Sequence, residues 1–484
     1  MTATRSPDSA APSAAGEPPP GETAAIHPPR VAVVVGVLSL AVFMSSLDLF
    51  IVNLAFPTIT KAFRGSGLGS LAWVLNAYTI VFAAVLVPAG RWADRVGRRK
   101  ILVAGLVVFA LGSAACGLAP GVETLIGARV VQAVGAGLMV PASLSLLLAA
   151  VPGPARPAAI GSWSAFAALG AAAGPVVGGV LVEASWRWVF WVNLPVAVVA
   201  VIASLRLLPE SREPGVVHHP DIAGASLLAA GVGLVAYALV EAPSWGWGSF
   251  RFVGAVIGGI LVLAGTVVRS ARHRAPVIEL GLLKARSFSG AAGASIIYYA
   301  GFGAFVLNSV EFLTMVWHYS PIRAGLAIGP GPLMVLPFAR LVAPRLAARI
   351  GGPGRVAVIG ALLNAGAQIL WWAQMTTHPS YLAHLLPAQL IGGAGVGLAI
   401  PSLIAAGSAS LPPARFGTGS GILNMSRQVG TVLGVAGLVA VLAHVATANP
   451  IPGFRAGVLL IVAFFVASAA ISGAMIAGVR FRRT

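Results

Sequence analysis

The residues with chemistry to offer are charges set where charge is costly. Asp48 interrupts an apolar run that begins at Val31, and Arg129 interrupts another that begins at Val122. A carboxylate inside a lipid-embedded segment costs at least ~2.5 kcal/mol even on translocon scales. Desolvation favours its neutral form, so a group placed there can take up a proton and give it back. Asp48 is therefore the leading candidate for a proton carrier, with a structural bond to a neighbouring helix as the alternative. An arginine at depth needs a carboxylate or backbone carbonyls facing it. Arg129 either couples to Asp48 or tethers helices, and the sequence leaves both open. Gln132, nearly one helical turn on, offers its amide to a substrate or to helix packing. Glu311, close to the outer end of a later apolar run, is the second acid: a proton or cation site, or an acid at the water interface. Arg427 stands among Asn424, Ser426 and Gln428 and must face a polar cavity or a partner.

These residues can be placed only by elements that cross a bilayer. Of 484 residues 58% are hydrophobic and 9% charged, and the mean hydropathy is +0.91. A soluble domain carries roughly a quarter charged residues, so most of this chain does not face water. Apolar runs of spanning length fall at 31–56, 70–90, 101–119, 122–146, 157–182, 189–208, 221–241, 250–269, 287–311, 322–343, 354–374, 381–405, 417–445 and 455–478, fourteen in all. The fold expected is an all-α integral membrane protein. Residues 1–30, rich in Pro, Ala, Ser and Gly, cannot bury enough surface to order and read as a disordered cytoplasmic tail. The net charge of +18 could mark a nucleic-acid partner, but the basic residues sit in short runs between apolar segments, where membrane topology puts them. The single Cys116 and eight scattered His give no metal cluster. No nucleophile motif or phosphate loop occurs, which excludes the familiar enzyme classes.

Orientation follows from the Lys and Arg of the short loops. With the N-terminus inside, 23 of the 31 basic residues are cytoplasmic and six are outside, which predicts both termini in the cytoplasm and an even number of spans. The chain also repeats itself. GRWADRVG at 90–97 is echoed by PRLAARIG at 344–351, and GLMVPAS at 137–143 by GLAIPSL at 397–403. The organisation expected is a six-helix bundle over 31–208, a linker over 209–286 carrying two extra transmembrane helices, and a second six-helix bundle over 287–484 ending in a short basic tail. Parallel repeats of this kind place a site at their interface near the midplane.

Two further clusters have a mechanical reading. In the loop Gly90, Arg91, Asp94, Arg95, Gly97, Arg98, Arg99, the acid and the basic residues can pair with each other and with helix ends, and such a cluster between bundles would hold the cytoplasmic side shut. The second copy has Ala348 where Asp94 stands, so a matching latch is lost there. On the fifth run Gly170, Gly174, Gly178 and Gly179 recur at one-turn spacing around Pro175. Small residues at this spacing let helices approach closely in lipid, and Pro bends a span.

GRWADRVGRRK in the second loop, LDLFIVNLAFP at 47–57, RVVQAVGAG at 129–137, GAAAGPVVGG at 170–179 and GSGILNMSRQVG at 419–430 together resemble the major facilitator superfamily, and the extra helix pair resembles its fourteen-helix drug:proton antiporter branch. The resemblance implies two pseudo-symmetric six-helix bundles with two further transmembrane helices between them, working by alternating access. It implies a role for Arg129 in proton transfer and an antiport motif in the glycine run with Pro175. The chain departs from the family pattern at Phe50, Ala133 and Thr314, where Thr, Gly and Gln are usual. The function implied is proton-coupled efflux of an amphipathic antibiotic or drug across a bacterial cytoplasmic membrane, by a monomer that uses the proton gradient and no cofactor. The alternative is proton-coupled uptake of a small metabolite. For such a ligand an apolar, partly aromatic pocket with a few polar anchors is expected, drawn from Asn53, Trp73, Asn76, Tyr78, Gln132, Tyr298, Asn308 and Arg427.

Overall fold

The computed structural model describes residues 28–63, 68–151, 156–212, 221–274, 276–409, 411, 416–443 and 449–480; the expected tail falls almost wholly on residues 1–27, outside that set. Among the described residues the chain is helical throughout, with no strand. The first bundle comprises α1 (Pro28–Ala62), α2 (Leu68–Val96), α3 (Arg98–Leu118), α4 (Val122–Ala150), α5 (Arg156–Ala184) and α6 (Trp188–Leu207). Then come α7 (Ile222–Trp245) and α8 (Phe250–Arg272). The second bundle comprises α9 (Arg286–Met315), α10 (Pro321–Ile350), α11 (Pro353–Gln374), α12 (Tyr381–Ser408), α13 (Phe416–Leu442) and α14 (Ile451–Arg480).

Thirteen of these helices are long and apolar enough to cross a membrane. The remaining helix, α5, occupies the fifth expected span and is 29 residues long, but part of it lies outside the described side chains. The span count among the described residues is therefore thirteen, against the fourteen expected. Prolines and π turns mark the departures from regular helix. A π turn at Phe338–Val342 follows Pro337 within α10, and another at Tyr381–Leu385 opens α12. A proline removes one backbone hydrogen bond, and the helix accommodates it by widening locally.

The two bundles meet along α2 with α13 and α5 with α10, an exchange of equivalent positions between the halves, while α1 touches α9 at the centre. Within each half glycines set the spacing, and they do so in register. A Cβ on Gly170 would meet the Phe43 carbonyl 2.5 Å away on α1. The offset of 260 that aligns GLMVPAS with GLAIPSL carries Gly170 and Gly174 onto Gly430 and Gly434, which lie against the backbone carbonyls of Ile296 and Ala300 on α9. Gly105 on α3 meets Gly135 and Met139 of α4 just as Gly360 on α11 meets Gly395 and Ala399 of α12. Without a hydrophobic force between helices in lipid, such close backbone contact is what holds the bundles together.

The two additional helices are unlike each other. α7 packs against both α2 and α13, across the seam between the halves, whereas α8 rests on α7. In the most apolar stretch of α2 83% of residues are buried, and in that of α8 only 11%, so α8 presents its surface to lipid.

Candidate functional site

The centre of the first bundle is a sealed polar network on five helices. Asp48 of α1 and Arg129 of α4 are both fully buried and paired, with Arg129 Nη1 at 2.6 Å from Asp48 Oδ2. Gln132 Nε2 donates to Asp48 Oδ1 at 2.8 Å, and Asn193 Nδ2 of α6 donates to the same oxygen at 3.1 Å. Ser113 of α3 accepts from both amides, at 3.1 and 3.0 Å, and donates to the Phe190 carbonyl at 2.7 Å. Arg129 also donates to Gln132 Oε1 at 2.7 Å and, through Nε, to the Val74 carbonyl of α2 at 3.1 Å. Its guanidinium lies 3.9 Å from the centre of the Tyr78 ring, a cation–π contact strengthened by the absence of water. Cys116 closes the group with a thiol contact of 3.7 Å to Gln132 Oε1.

The local sequence explains the arrangement. Arg129 and Gln132 lie three apart on α4 and share a face, and the glycines at 105 and 135 draw α3 and α4 together, which brings Ser113 to Gln132. Asp48 accepts the two amide N–H groups at Oδ1 and the guanidinium at Oδ2, so the chain itself supplies the carboxylate's partners in a place where water does not reach it. The satisfaction is incomplete. Arg129 Nη2, Asn193 Oδ1 and both amide atoms of Asn76 are buried without a hydrogen-bond partner. A network built this way has unused donors and acceptors available for a second arrangement.

The structure thus brings Asp48, Arg129, Gln132 and Tyr78 together, and adds Ser113 and Asn193, which the sequence reading did not pick out. Asn193 carried a signal, an amide within an apolar run. Ser113 carried almost none.

The other expected residues are dispersed. Asn53 donates to the Leu49 carbonyl of its own helix at 2.7 Å. Trp73 packs against Tyr237 of α7 with ring centres 6.2 Å apart, so it faces the additional helix. Tyr298 is fully buried, accepts from Asn364 of α11 at 2.9 Å and packs against Phe465 with the two rings tilted by 51°. It belongs to the interior of the second half. Arg427 donates to Asn424 Oδ1 at 3.0 Å and sits 4.7 Å from the Tyr299 ring centre, about 18 Å along α9 from Glu311 at 1.5 Å per residue. Asn308 and Glu311 are buried near the far end of α9.

At the other end of the molecule Asp94 pairs with Arg98 at 2.8 Å, an i,i+4 contact. Arg91 stands in the field of Glu279, Asp221 and Asp94. Arg98 and Arg99 clasp the segment after α6: the backbone N–H of Arg98 donates to the Ser211 carbonyl at 2.8 Å and Arg99 Nη1 to that of Leu208 at 3.0 Å. Glu210 accepts the backbone N–H groups of Arg99 and Lys100 at 3.0 and 3.3 Å, capping the positive end of α3. Gly97 is held at φ 134°, and a side chain there would collide with the Glu210 carboxylate. Gly90 lies in α2 with its Cβ position 3.8 Å from Pro141 of α4. On α5, Gly170, Gly174 and Gly178 face α1, and Gly179 faces the Pro321–Ile322 turn that begins α10. The side chain of Pro175 lies outside the described ones.

Comparison with known proteins gives a concordant picture. The model of the Major Facilitator Superfamily matches residues 38–435. The chain is 35% identical to the puromycin resistance protein pur8 of Streptomyces alboniger over 395 residues, covering 81% of this chain and 77% of that protein. It is 31% identical to a probable actinorhodin transporter of Streptomyces coelicolor over 442 residues, covering 87% and 74%. Among solved structures, a POT family transporter in complex with a thioalcohol-conjugated peptide superposes with a TM-score of 0.68 at 14% identity, covering 93% of this chain and 97% of that one, a likeness of fold.

Proposed function

We propose that this chain, which belongs to the Major Facilitator Superfamily, exports amphipathic antibiotics or drugs in exchange for protons, with Asp48 as the proton carrier. The chain is a multi-pass membrane transporter and not an enzyme, and its relatives are named for resistance to and export of antibiotics. The observation that carries the proton reading is the sealed Asp48–Arg129 pair, since a carboxylate held by an arginine and two amides in a dry interior couples protonation to structure.

When Asp48 takes up a proton it loses its charge, and Arg129 loses the partner that offset its burial. Leaving one member of a buried pair uncompensated costs about 3–5 kcal/mol, enough to shift a two-state equilibrium by two orders of magnitude or more. Arg129 keeps the Gln132 and Val74 oxygens and gains reason to turn its free Nη2 elsewhere, so α1 and α4 change their relation. Because α1 meets α9 at the centre and α5 meets α10 at the edge, that change is transmitted to the contact between the halves. Protonation from outside and release inside would then alternate with drug passage in the opposite sense, from the bacterial cytoplasm, with both termini on the cytoplasmic side and a single chain sufficing.

The test is drug-induced collapse of an imposed pH gradient in inside-out vesicles, with puromycin, actinorhodin and tetracenomycin C in the panel because relatives are named for them. Asp48→Asn preserves shape and removes the charge. A compound that collapses the gradient in wild-type vesicles and at least about 100-fold more slowly in the variant supports the reading; equal rates would refute it. Accumulation driven in the opposite direction would make the chain an importer.

A further inference from the structure

Arg129 and Arg427 both lie within spans, one in each half, and they differ in their surroundings. Arg129 has a carboxylate, an amide oxygen and a backbone carbonyl. Arg427 lies about 16 Å from one end of α13 and about 22 Å from the other at 1.5 Å per residue. Its guanidinium donates to Asn424 Oδ1 of its own helix and stands over the Tyr299 ring of α9. Among the described residues no carboxylate forms an ion pair with it. Arg427 is half-buried, and unlike Nη2 of Arg129 no nitrogen of its side chain is both sealed and unpartnered. What is unpaired there is open to a ligand.

From Arg427 an aromatic row runs towards the other half. Tyr299, Phe302 and Phe305 recur at three-residue spacing on one side of α9, with successive ring centres 6.0 and 6.3 Å apart. Phe302 meets Phe50 of α1 edge to face, centres 6.0 Å apart, where α1 and α9 touch at the centre. Phe50, Phe302 and Phe305 are half-buried, as Arg427 is. An arginine within a membrane faces the bundle interior or a cavity and takes a counter-charge. The chain supplies none here: Asp48, two residues before Phe50, is already held by Arg129. The ligand chemistry follows from the row. A cation would meet like charge, and a neutral aromatic molecule would cover the rings while leaving Arg427 to Asn424 alone. An aromatic body bearing a carboxylate satisfies both features: its rings pack on Phe302 and Phe50, and the planar guanidinium donates to its two oxygens.

We propose that this row binds an aromatic carboxylate, with Arg427 as the residue that selects for its negative charge. That the bound acid is also the exported compound rests on the efflux reading above; the binding itself rests on the row alone.

The experiment is equilibrium binding to the purified full chain in detergent, followed by fluorescence, of anthracene carrying a carboxylate, a hydroxymethyl or an aminomethyl group at the same ring position. The expected result is saturable binding of the carboxylate, with the alcohol and the protonated amine at least about tenfold weaker, the loss of one charge-assisted contact. Arg427→Gln should weaken the carboxylate at least about tenfold and leave the alcohol unchanged, a split that a merely structural role would not produce. Phe302→Leu should weaken all three probes alike. A thermal unfolding scan identifies any variant that fails to fold. If Arg427→Gln is not folded, the three wild-type affinities and Arg427→Lys, which keeps the charge and loses the fork, carry the test, with the carboxylate still preferred by the lysine variant. Equal affinity for the three probes, undiminished carboxylate binding in a folded Arg427→Gln or Phe302→Leu protein, or no carboxylate binding by the wild type overturns the proposal. Failure of the efflux reading looks different: wild-type protein that binds the carboxylate in preference to the other two and does not move it out of cells.

Discussion

The two halves share their packing and differ in their polar centres. Gly105 with Gly135 and Gly170 with Phe43 in the first half have close counterparts in Gly360 with Gly395 and Gly430 with Ile296 in the second. The ionic network has none. The offset that superposes α4 on α12 puts neutral Gln389 in the place of Arg129, and the stretch of α9 against the glycines of α13, Ile296 to Phe305, holds no charged residue. The second half instead joins α9 to α11 through Tyr298 and Asn364, both neutral. Among the described residues the repeated scaffold therefore carries a buried carboxylate–arginine pair on one side only. At the seam α7 packs against α2 of one half and α13 of the other.

The sharpest way to break that contrast is to remove one member from each side. Arg129→Leu strands the Asp48 carboxylate and should cost about 3–5 kcal/mol, while Gln389→Leu, which removes an amide whose Nε2 is already unpartnered, should stay within about 1 kcal/mol. Unfolding midpoints in detergent compare the two, and equal losses would mean that the halves are energetically alike after all.

A smaller effect probes the shared scaffold. An added methyl at Gly434 drives into the Ala300 backbone carbonyl, whereas at Gly174 it meets the Phe50 Cβ at 2.7 Å. Overpacking costs about 1–3 kcal/mol, so Gly434→Ala should destabilise more than Gly174→Ala, again read from unfolding midpoints. If Gly174→Ala leaves stability intact yet abolishes efflux, the α5 glycines do something that their copies on α13 do not.

Much of this was legible in the chain because lipid makes charge conspicuous. Asp48, Arg129 and Gln132 stand out from apolar surroundings, and the glycine spacing and the GLMVPAS echo announce the repeat. The loss of the acid at Ala348 already showed that the copies diverge. What the sequence concealed depends on tertiary geometry. Ser113 is small enough to pass as packing, and Asn193 lies 145 residues from its partner Asp48. The arginines of the 90–100 loop read as a latch between bundles, but no periodicity revealed Glu210 waiting at the N-terminus of α3. Aromatic and amide residues named as pocket lining, such as Trp73 and Tyr298, were chosen by type, and type does not fix which way a helix face turns.

The central claim is that substrate and proton are linked through Asp48. The most direct measurement is proton release on binding, followed with a pH dye in weakly buffered detergent solution after adding a compound that the wild-type protein exports. Alternating access through the sealed pair predicts release of about one proton per bound molecule from the wild type, the linkage expected when two ligands bind in competition, and none from Asp48→Asn at equal occupancy. Undiminished release from the variant would contradict it and move the coupling to another group.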